Sequence, residues 1–456
     1  TISEFLNPVN KYILSFFLAL SCLFTGAQDS FLLNKKASKK ISFEFASNLM
    51  IIPVNINGVT LSFILDTGVI RPILFNLSER DSLDLKNTET FYLYGLGSEG
   101  KLKALKSSNN TIKVGGAVST NKDLYVIFDN TINFTPRLGV LVHGIIGYDI
   151  FKDFVVEINY NSKFIRLHNP NSFKTKSLKN WKTIPINLNR QKPYVNATVV
   201  MDTVETDVKL LIDTGSSDSL WLFEDKEEGL IPNKDLFFID YLGKGLSGSV
   251  YGKRSKTNSF ILSDFRLSNV NVAFPDTVSI SIAKVYKERN GSLGGEILKR
   301  FNIFFDYTNK KIHLKKNSYF KDPFTYNNSG VILEHYGTKF VREQITVPSS
   351  SGYDTKNKYD AIQINYSLNY IMTLKPTYKI VEVRKSSNAY ASGLREDDIL
   401  ISINGKQAYN FKLPHINKFL HGKTGKAIRL KVERNGESLF FKFKLDDAFK
   451  KNEPPN

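Results

Sequence analysis

A tandem repeat constrains the fold of this chain more than any other feature. Residues Ile64–Gly68 read Ile-Leu-Asp-Thr-Gly, and residues Leu211–Gly215 read Leu-Ile-Asp-Thr-Gly, 147 positions later. Residues 144–167 and 291–314 are also 147 positions apart, align without a gap and share nine of 24 residues. Because two segments recur in register, we predict two homologous lobes within one chain.

The repeated segments carry the hydrophobic patterns of β-structure. The alternation in Met50–Val59 predicts a hairpin that leads into the first Asp-Thr-Gly, and Tyr194–Leu211 repeats this pattern before the second. After Gly147 and Gly294, the sequence predicts a short helical turn and then two strands joined by a polar turn. We therefore predict a mostly β fold with two pseudo-symmetric lobes.

The composition is that of a folded chain without a cysteine framework. The 456 residues allow about three domains, and the 41% hydrophobic content provides for sizeable cores. The single cysteine, Cys22, excludes a disulfide scaffold, a zinc ribbon and a Cys-x-x-Cys redox site. The net charge of +18 suits an acidic partner, but the lysines are spread along the chain without a basic stripe, so we predict no nucleic-acid partner.

The N-terminal segment has the pattern of an export signal. Ile13–Phe24 is largely apolar, follows Lys11 and precedes a run of small residues that ends at Ala27. We predict a signal peptide cleaved after Ala27 and an exported protein, periplasmic or secreted. The alternative is a lipoprotein signal in which Cys22 is lipidated. No other segment approaches membrane-spanning length, so we predict no transmembrane helix.

The chemistry of the repeat centres on Asp66 and Asp213. An aspartate that follows apolar residues is costly to bury unless it is hydrogen-bonded or shares a proton. Two such carboxyls cannot both ionise near neutral pH when they share one water; one pKa rises and the other falls, and a ~2-unit shift corresponds to ~3 kcal/mol. The pair then acts as acid and base on a water that attacks an amide, without a cofactor or metal. The sequence leaves open which aspartate holds the proton.

These motifs resemble the catalytic loops of pepsin-like and retropepsin-like aspartic proteases. Asp66–Gly68 and Asp213–Ser217 match the loops, while Ile145–Gly147 and Ser292–Gly294 match the hydrophobic-hydrophobic-glycine strands. The serine at the start of the latter departs from the pattern. The resemblance covers Ile41–Lys316 and implies a monomer with both lobes in one chain. It implies that the catalytic residues are Asp66 and Asp213, with catalytic-loop support from Thr67, Gly68, Thr214, Gly215 and Ser216.

The residue that follows each Asp-Thr-Gly differs between the repeats. It is Val69 in the first and Ser216 in the second. In pepsin-like proteases a hydroxyl at this place donates a hydrogen bond to the aspartate. Loss of that donor should favour the protonated form of Asp66, which predicts activity shifted towards neutral pH.

A glycine-rich segment follows each aspartate at a similar distance. Gly95–Gly100 and Gly243–Gly248 fit the dinucleotide pattern Gly-x-Gly-x-x-Gly, but neither precedes the amphipathic helix that nucleotide binding requires. Hairpins at these places resemble the flaps that close over substrate in aspartic proteases. Tyr94 either packs on the substrate or is an ordinary strand residue. The predicted flap residues are Tyr94, Gly95, Gly97, Gly243 and Gly245.

The C-terminal third of the chain has a different pattern. Ala391–Leu394 followed by Asp397–Gly405 resembles the PDZ domains attached to bacterial proteases, although Ser392 replaces an alanine and Asp397 a glycine. Such domains bind chain ends by strand addition. The alternative is that this unit only packs on the lobes. The peptide-binding residues that the resemblance implies are Gly330, Val331 and Ile332.

These patterns together predict an exported aspartic endopeptidase that acts on polypeptides, with a PDZ domain that recruits chain ends. The alternative is a catalytically inactive peptide-binding or scaffold protein that uses the same cleft and groove. The predicted boundaries are 1–27 for the signal peptide, 41–168 for the N-terminal lobe, 183–316 for the C-terminal lobe and 329–447 for an α+β PDZ-like domain.

Overall fold

The structure is a computed structural model, which describes residues 30–77, 83–97, 100–129, 132–174, 178–234, 236–348 and 366–449. The predicted signal peptide with Cys22 and the tail 450–456 lie outside the described residues. Strands make up 51% of the model and helices 10%, which confirms the predicted mostly β fold class. None of the helices formed by the described residues has the length and hydropathy needed to span a bilayer.

The chain divides into two compact units. The first, the double-lobe unit, consists of the residues up to Asn133 together with Val142–Phe324. The second, the C-terminal unit, consists of Phe134–Leu141 and the residues from Thr325 onward. A short piece of the N-terminal repeat thus belongs to the C-terminal unit, which the sequence did not suggest.

The N-terminal half is built from short strands with buried aliphatic residues. Strands β2, β3, β4, β9, β5, β8, β7 and β6 form one sheet in that order. The elements are β1 (Ile41–Ser42), β2 (Glu44–Ala46), β3 (Leu49–Ile56), β4 (Val59–Leu65), β5 (Ile73–Leu74), β6 (Thr88–Tyr94), β7 (Lys101–Val114), β8 (Ala117–Val126), α1 (Thr135–Leu138), β9 (Gly144–Ile146), α2 (Tyr148–Phe151), β10 (Val155–Asn159), β11 (Phe164–His168) and a 3-10 turn (Pro170–Ser172).

The second half repeats this arrangement. Its main sheet has the order β17, β18, β21, β16, β22, β15, β14, β19 and β20, with β13 paired to β14. The elements are β12 (Lys182–Pro185), β13 (Asn187–Asn189), β14 (Lys192–Met201), β15 (Val204–Ile212), β16 (Leu220–Leu222), β17 (Phe238–Gly245), β18 (Gly248–Lys256), β19 (Ser259–Leu262), β20 (Phe265–Ser268), β21 (Asn271–Pro275), β22 (Gly291–Leu293), α3 (Gly295–Leu298), β23 (Phe301–Asp306), β24 (Lys311–Lys316) and 3-10 turns at Ala283–Val285 and Ser318–Lys321.

A third sheet joins the two lobes. Its order is β1, β11, β10, β23, β24 and β12, and β10 of the first lobe pairs antiparallel with β23 of the second. Under this sheet the rings of Phe151 and Phe305, one from each lobe, meet edge to face with centroids 5.2 Å apart. Both rings are fully buried in a core shared by the lobes, so the repeats fold as one body.

The C-terminal unit is a small sheet covered by helices. Strands β25, β26, β27, β29 and β30 lie in that order, with β28 paired to β27. The long strands β25 and β26 pair with each other as an antiparallel ribbon. The elements are β25 (Val331–Pro348), β26 (Tyr366–Val383), α4 (Asn388–Ala391), β27 (Ile399–Ile403), β28 (Lys406–Gln407), a 3-10 turn (Ala408–Asn410), α5 (Leu413–Leu420), β29 (Ala427–Arg434) and β30 (Glu437–Lys444).

Helix α1 belongs to the C-terminal unit because it contacts β25 and α5. The Arg137 Nε donates to Glu334 Oε1 of β25 at 2.9 Å. Gly139 ends the helix with φ of 67°, and a Cβ placed on it would lie 2.9 Å from the Cβ of Leu413 in α5. The helix thus lies beside α5 and beside β25, the strand that begins with Val331 and Ile332 of the predicted peptide-binding residues.

Candidate active site

Each aspartate of the two Asp-Thr-Gly segments follows the end of a buried strand and is held by a neighbouring parallel strand. The backbone N–H of Asp66 donates to the Ile146 carbonyl at 2.8 Å, and that of Asp213 donates to the Leu293 carbonyl at 2.9 Å. A Cβ on Gly147 would lie 1.8 Å from the Asp66 carbonyl oxygen. The glycine after each short apolar strand therefore lets the aspartate loop pack directly against it.

Crossed hydrogen bonds between the two threonines lock the loops together. The Thr67 hydroxyl donates to the Ile212 carbonyl at 2.6 Å, and the Thr214 hydroxyl donates to the Leu65 carbonyl at 2.8 Å. Each hydroxyl also accepts the backbone N–H of the other threonine at 3.0 Å. Both side chains are 1% exposed, so these bonds are shielded from water.

The loops bring the two carboxyl groups into contact. The Gly68 N–H donates to Asp66 Oδ1 at 2.6 Å, and the Gly215 N–H donates to Asp213 Oδ1 at 3.1 Å. A Cβ on Gly68 would lie 3.0 Å from Asp66 Oδ1 and 3.5 Å from Asp213 Oδ1, so the two carboxyl groups lie side by side. A Cβ on Gly215 would lie 2.2 Å from the carboxyl carbon of Asp66, so only glycine fits there.

Burial and mutual repulsion set the protonation of this pair. Burial and then the charge of Asp213 are the largest causes that raise the pKa of Asp66 to about 7. Burial also raises the pKa of Asp213, but Arg289 and Lys192 oppose this rise. Arg289 lowers the pKa of Asp213 and is not among the charges that act on Asp66, which favours the ionised form of Asp213 and the proton on Asp66.

Lys192 and Arg289 are site residues that the sequence motifs did not reveal. Arg289 is 8% exposed and donates from Nη2 to Ser292 Oγ at 2.6 Å. The serine that departs from the apolar pattern is therefore the hydrogen-bond acceptor of a buried arginine. Comparison of the repeats at their offset of 147 would have flagged Arg289, because the N-terminal lobe has Val142 there.

The residue after each Asp-Thr-Gly acts through its backbone. The Ser216 carbonyl accepts the Gly295 N–H at 2.7 Å, and the Val69 carbonyl accepts the Tyr148 N–H at 3.0 Å. Among the described residues, no hydrogen bond joins the Ser216 hydroxyl to a catalytic carboxyl. The contrast between Val69 and Ser216 therefore does not account for the difference between the two aspartates.

Both predicted flaps are hairpins, and their tips contact each other. The Gly95 N–H donates to Ser247 Oγ at 3.0 Å, and the Ser247 N–H donates to the Leu96 carbonyl at 3.0 Å. A Cβ on Gly97 would lie 2.1 Å from the Ser247 carbonyl oxygen, and one on Gly245 would lie equally close to that of Leu96. Glycine is required at these two positions by the close approach of the hairpins.

The remaining flap residues make no such contact. A Cβ on Gly243 would meet no atom within 4 Å. Tyr94 is 62% exposed and pairs with Lys101 at the end of the first hairpin. The Tyr94 ring is therefore placed as an exposed strand residue next to the tip.

The predicted PDZ peptide-binding loop has its backbone donors engaged within the unit. The Ser329 and Gly330 N–H groups donate to the side chain and the carbonyl of Asn327, at 3.1 and 3.4 Å. The Val331 N–H donates to Ser329 Oγ at 3.1 Å, and Ile332 pairs with Glu382 of β26. Binding of a chain end by these amides would require the loop to exchange partners.

Comparison with known families agrees with both parts of the fold. Residues 52–150 match the aspartyl protease family model, and residues 379–434 match the PDZ domain model. The resemblance to aspartic proteases with a C-terminal PDZ domain is thereby confirmed. The first match includes Asp66, whereas the assignment of Asp213 depends on the internal repeat. No curated protein matches the chain.

The described residues contain no group of three or more His, Cys, Asp or Glu side chains that could hold a metal ion. The arrangement of Asp66 and Asp213 supplies instead a paired proton donor and acceptor at one point. This chemistry suits activation of a water for attack on a carbonyl carbon.

Proposed function

We propose that this chain is an exported aspartic endopeptidase that hydrolyses peptide bonds with a water bound between Asp66 and Asp213. The observation that carries the proposal is the close approach of two partly buried carboxyls, one from each lobe, since a Cβ on Gly68 would lie 3.0 Å from Asp66 Oδ1 and 3.5 Å from Asp213 Oδ1. Burying two carboxyls side by side is costly, and a protein that only bound peptides would gain nothing from it. Because one chain supplies both aspartates, we propose that it works as a monomer.

The two carboxyls have different roles in this proposal. Asp213, the ionised partner, takes a proton from the water as the water oxygen attacks the carbonyl carbon. Asp66, the protonated partner, donates its proton to the carbonyl oxygen. Collapse of the tetrahedral intermediate returns a proton to Asp66 and delivers one to the departing amine. No covalent intermediate with the enzyme is needed.

The flaps and the C-terminal unit supply substrate binding in this proposal. The contacting tips at Gly95 and Ser247 close the two hairpins on each other, and they must separate for a polypeptide to enter. Extended peptides bind well to exposed hairpin edges through their backbone. The PDZ domain, matched over residues 379–434, suits recruitment of substrate polypeptides and their chain ends.

The test is cleavage of an unfolded protein by purified chain and by Asp66→Asn and Asp213→Asn variants. Each variant should lose about 10²–10⁴-fold in rate, because general acid–base catalysis contributes that much. Asp264→Asn is the matched control, since that aspartate is exposed on a turn of the same unit. If both site variants cleave as fast as the control, the protein is a peptide-binding or scaffold protein and not a protease.

A further inference from the structure

A lysine of the C-terminal lobe lies beside the carboxyl pair. In the hairpin of β14 and β15, Tyr194 lies opposite Leu211, which is two residues before Asp213. Lys192 is two residues before Tyr194. Because the strands are antiparallel, the same register brings Lys192 alongside Asp213.

The N-terminal lobe has an apolar residue at the matching place. Ile51 lies opposite Ile64, which is two residues before Asp66. The counterpart of Lys192 is therefore Leu49, which is 7% exposed. The hairpin does not need a lysine at this position, because the first lobe forms the same hairpin with Leu49 there.

Arg289 provides a second cation that the first lobe also lacks. It lies two residues before Gly291, the first residue of β22, as Val142 lies two residues before Gly144 in β9. Its Nε donates to the Gly291 carbonyl at 3.0 Å, in addition to the bond from Nη2 to the adjacent serine. The guanidinium also lies 5.3 Å from the centroid of the Phe223 ring. Arg289 is thus fixed in place.

Lys192 differs from Arg289 in its hydrogen bonding. Among the described residues, its ammonium group has no hydrogen bond and no ion pair. Burial lowers the pKa of Lys192, the charge of Arg289 lowers it further, and both catalytic carboxyls oppose these effects. The ammonium is therefore partly removed from water and keeps all three of its donors available.

Positive charges outnumber negative charges around the carboxyl pair. Asp66 and Asp213 hold one proton and carry one negative charge, while Lys192 and Arg289 carry two positive charges. An excess positive charge that is partly shielded from water favours the binding of an anion. The anion that a polypeptide can bring to this place is a carboxylate.

We propose that Lys192, supported by the fixed charge of Arg289, forms a specificity subsite for a substrate carboxylate next to the scissile bond. This inference rests on the proposed protease function. The carboxylate can come from an aspartate or glutamate side chain or from the free C-terminus of a short peptide. The subsite gives the enzyme a preference for acidic substrates.

The test is a series of fluorogenic peptides that carry Glu or Gln at each position flanking the cleaved bond. Each peptide is made with a free and with an amidated C-terminus. The parent should cleave one acidic peptide with a kcat/KM at least about tenfold above its Gln twin, as expected for a charge-assisted hydrogen bond. A preference that survives amidation assigns the side chain, and one that amidation abolishes assigns the terminal carboxylate.

Variants link this preference to the lysine. Lys192→Leu, which copies the residue of the first lobe, should bring the Glu-to-Gln ratio close to one, and Lys192→Arg should retain a preference. Lys315→Leu, at an exposed lysine of the same lobe, should behave as the parent. A parent with equal rates on Glu and Gln peptides, or a Lys192→Leu variant that keeps the preference, would overturn the subsite.

Binding separates this proposal from the proposed function. Asp66→Asn keeps the charge of the cluster because Asp66 is the protonated partner. Fluorescence anisotropy with this variant should show tighter binding of the Glu peptide than of the Gln peptide. If the parent cleaves no peptide but this binding preference holds, the protease function fails and the subsite stands. If the parent cleaves the peptides without any preference, the protease function stands and the subsite fails.

Discussion

The two lobes position their aspartates with the same backbone but surround them with different side chains. The N-terminal lobe has Leu49 and Val142 at the positions where the C-terminal lobe has Lys192 and Arg289. Two identical carboxyls in identical surroundings would have no preferred proton donor. The cations favour the ionised form of Asp213, so the two aspartates differ in their electrostatic surroundings.

A second difference lies at the helical turn that follows the glycine in each lobe. Asp149 in α2 is 1% exposed and receives a hydrogen bond from the buried Lys122 at 2.9 Å. Its counterpart Glu296 in α3 is partly exposed and pairs with Lys299 and Arg300. The same position thus carries a fully buried ion pair in one lobe, with Lys152 Nζ 3.9 Å from Asp149, and a partly exposed network that includes the buried Arg300 in the other.

The largest expected effect comes from breaking the buried pair. Lys122→Met leaves Asp149 charged and without its partner in the core, which should lower the free energy of unfolding by about 3–5 kcal/mol. Lys299→Met removes a partly exposed cation and should cost at most about 1 kcal/mol. Urea denaturation of both variants measures the difference. An equal loss of unfolding free energy in both variants would show that the difference in burial between Lys122 and Lys299 has no effect on stability.

Removing either of the crossed threonine hydroxyls should lower the free energy of unfolding by a smaller amount, and by the same amount in the two lobes. Thr67→Val and Thr214→Val each remove one hydroxyl donor and leave the partner's buried N–H without its acceptor, which should cost about 1–3 kcal/mol. The two costs should agree because the bonds are reciprocal. Thr198→Val, whose hydroxyl bonds Asp207 at the surface, is the control for the same denaturation measurement. Unequal losses of unfolding free energy would mean that the lobes are not symmetric even where the two threonines cross.

The smallest effect concerns the residue after the first Asp-Thr-Gly. The pKa of Asp66 is raised to about 7, so the pair loses its shared proton, and activity falls, as the pH rises through that value. Val69→Ser should leave this alkaline limb in place, since the hydroxyl of the serine at the same position of the other lobe makes no bond to the carboxyl of its aspartate. The pH dependence of kcat/KM, compared between the parent and Val69→Ser, measures the position of this limb. A limb that moves to lower pH would show that a hydroxyl there does bind Asp66.

The repeat made much of the fold predictable. Because local patterns of apolar residues set strands and turns, the hairpins before each aspartate and the helical turns after Gly147 and Gly294 follow from the sequence. The contact between the flap tips did not follow from it, since nothing local links Gly95 to Ser247. The placement of α1 in the C-terminal unit also depends on contacts with residues that are distant in the sequence, such as Glu334, 197 positions from Arg137, and Leu413.

The amino-acid sequence alone determined the duplication, the β architecture and the identity of the two aspartates, because these depend on residue types at fixed short spacings. The tertiary structure decided which charges surround the pair and which of the two carboxyls they favour as the ionised one. Those properties depend on burial and on the register of neighbouring strands, which bring Lys192 and Arg289 to Asp213 from separate parts of the chain.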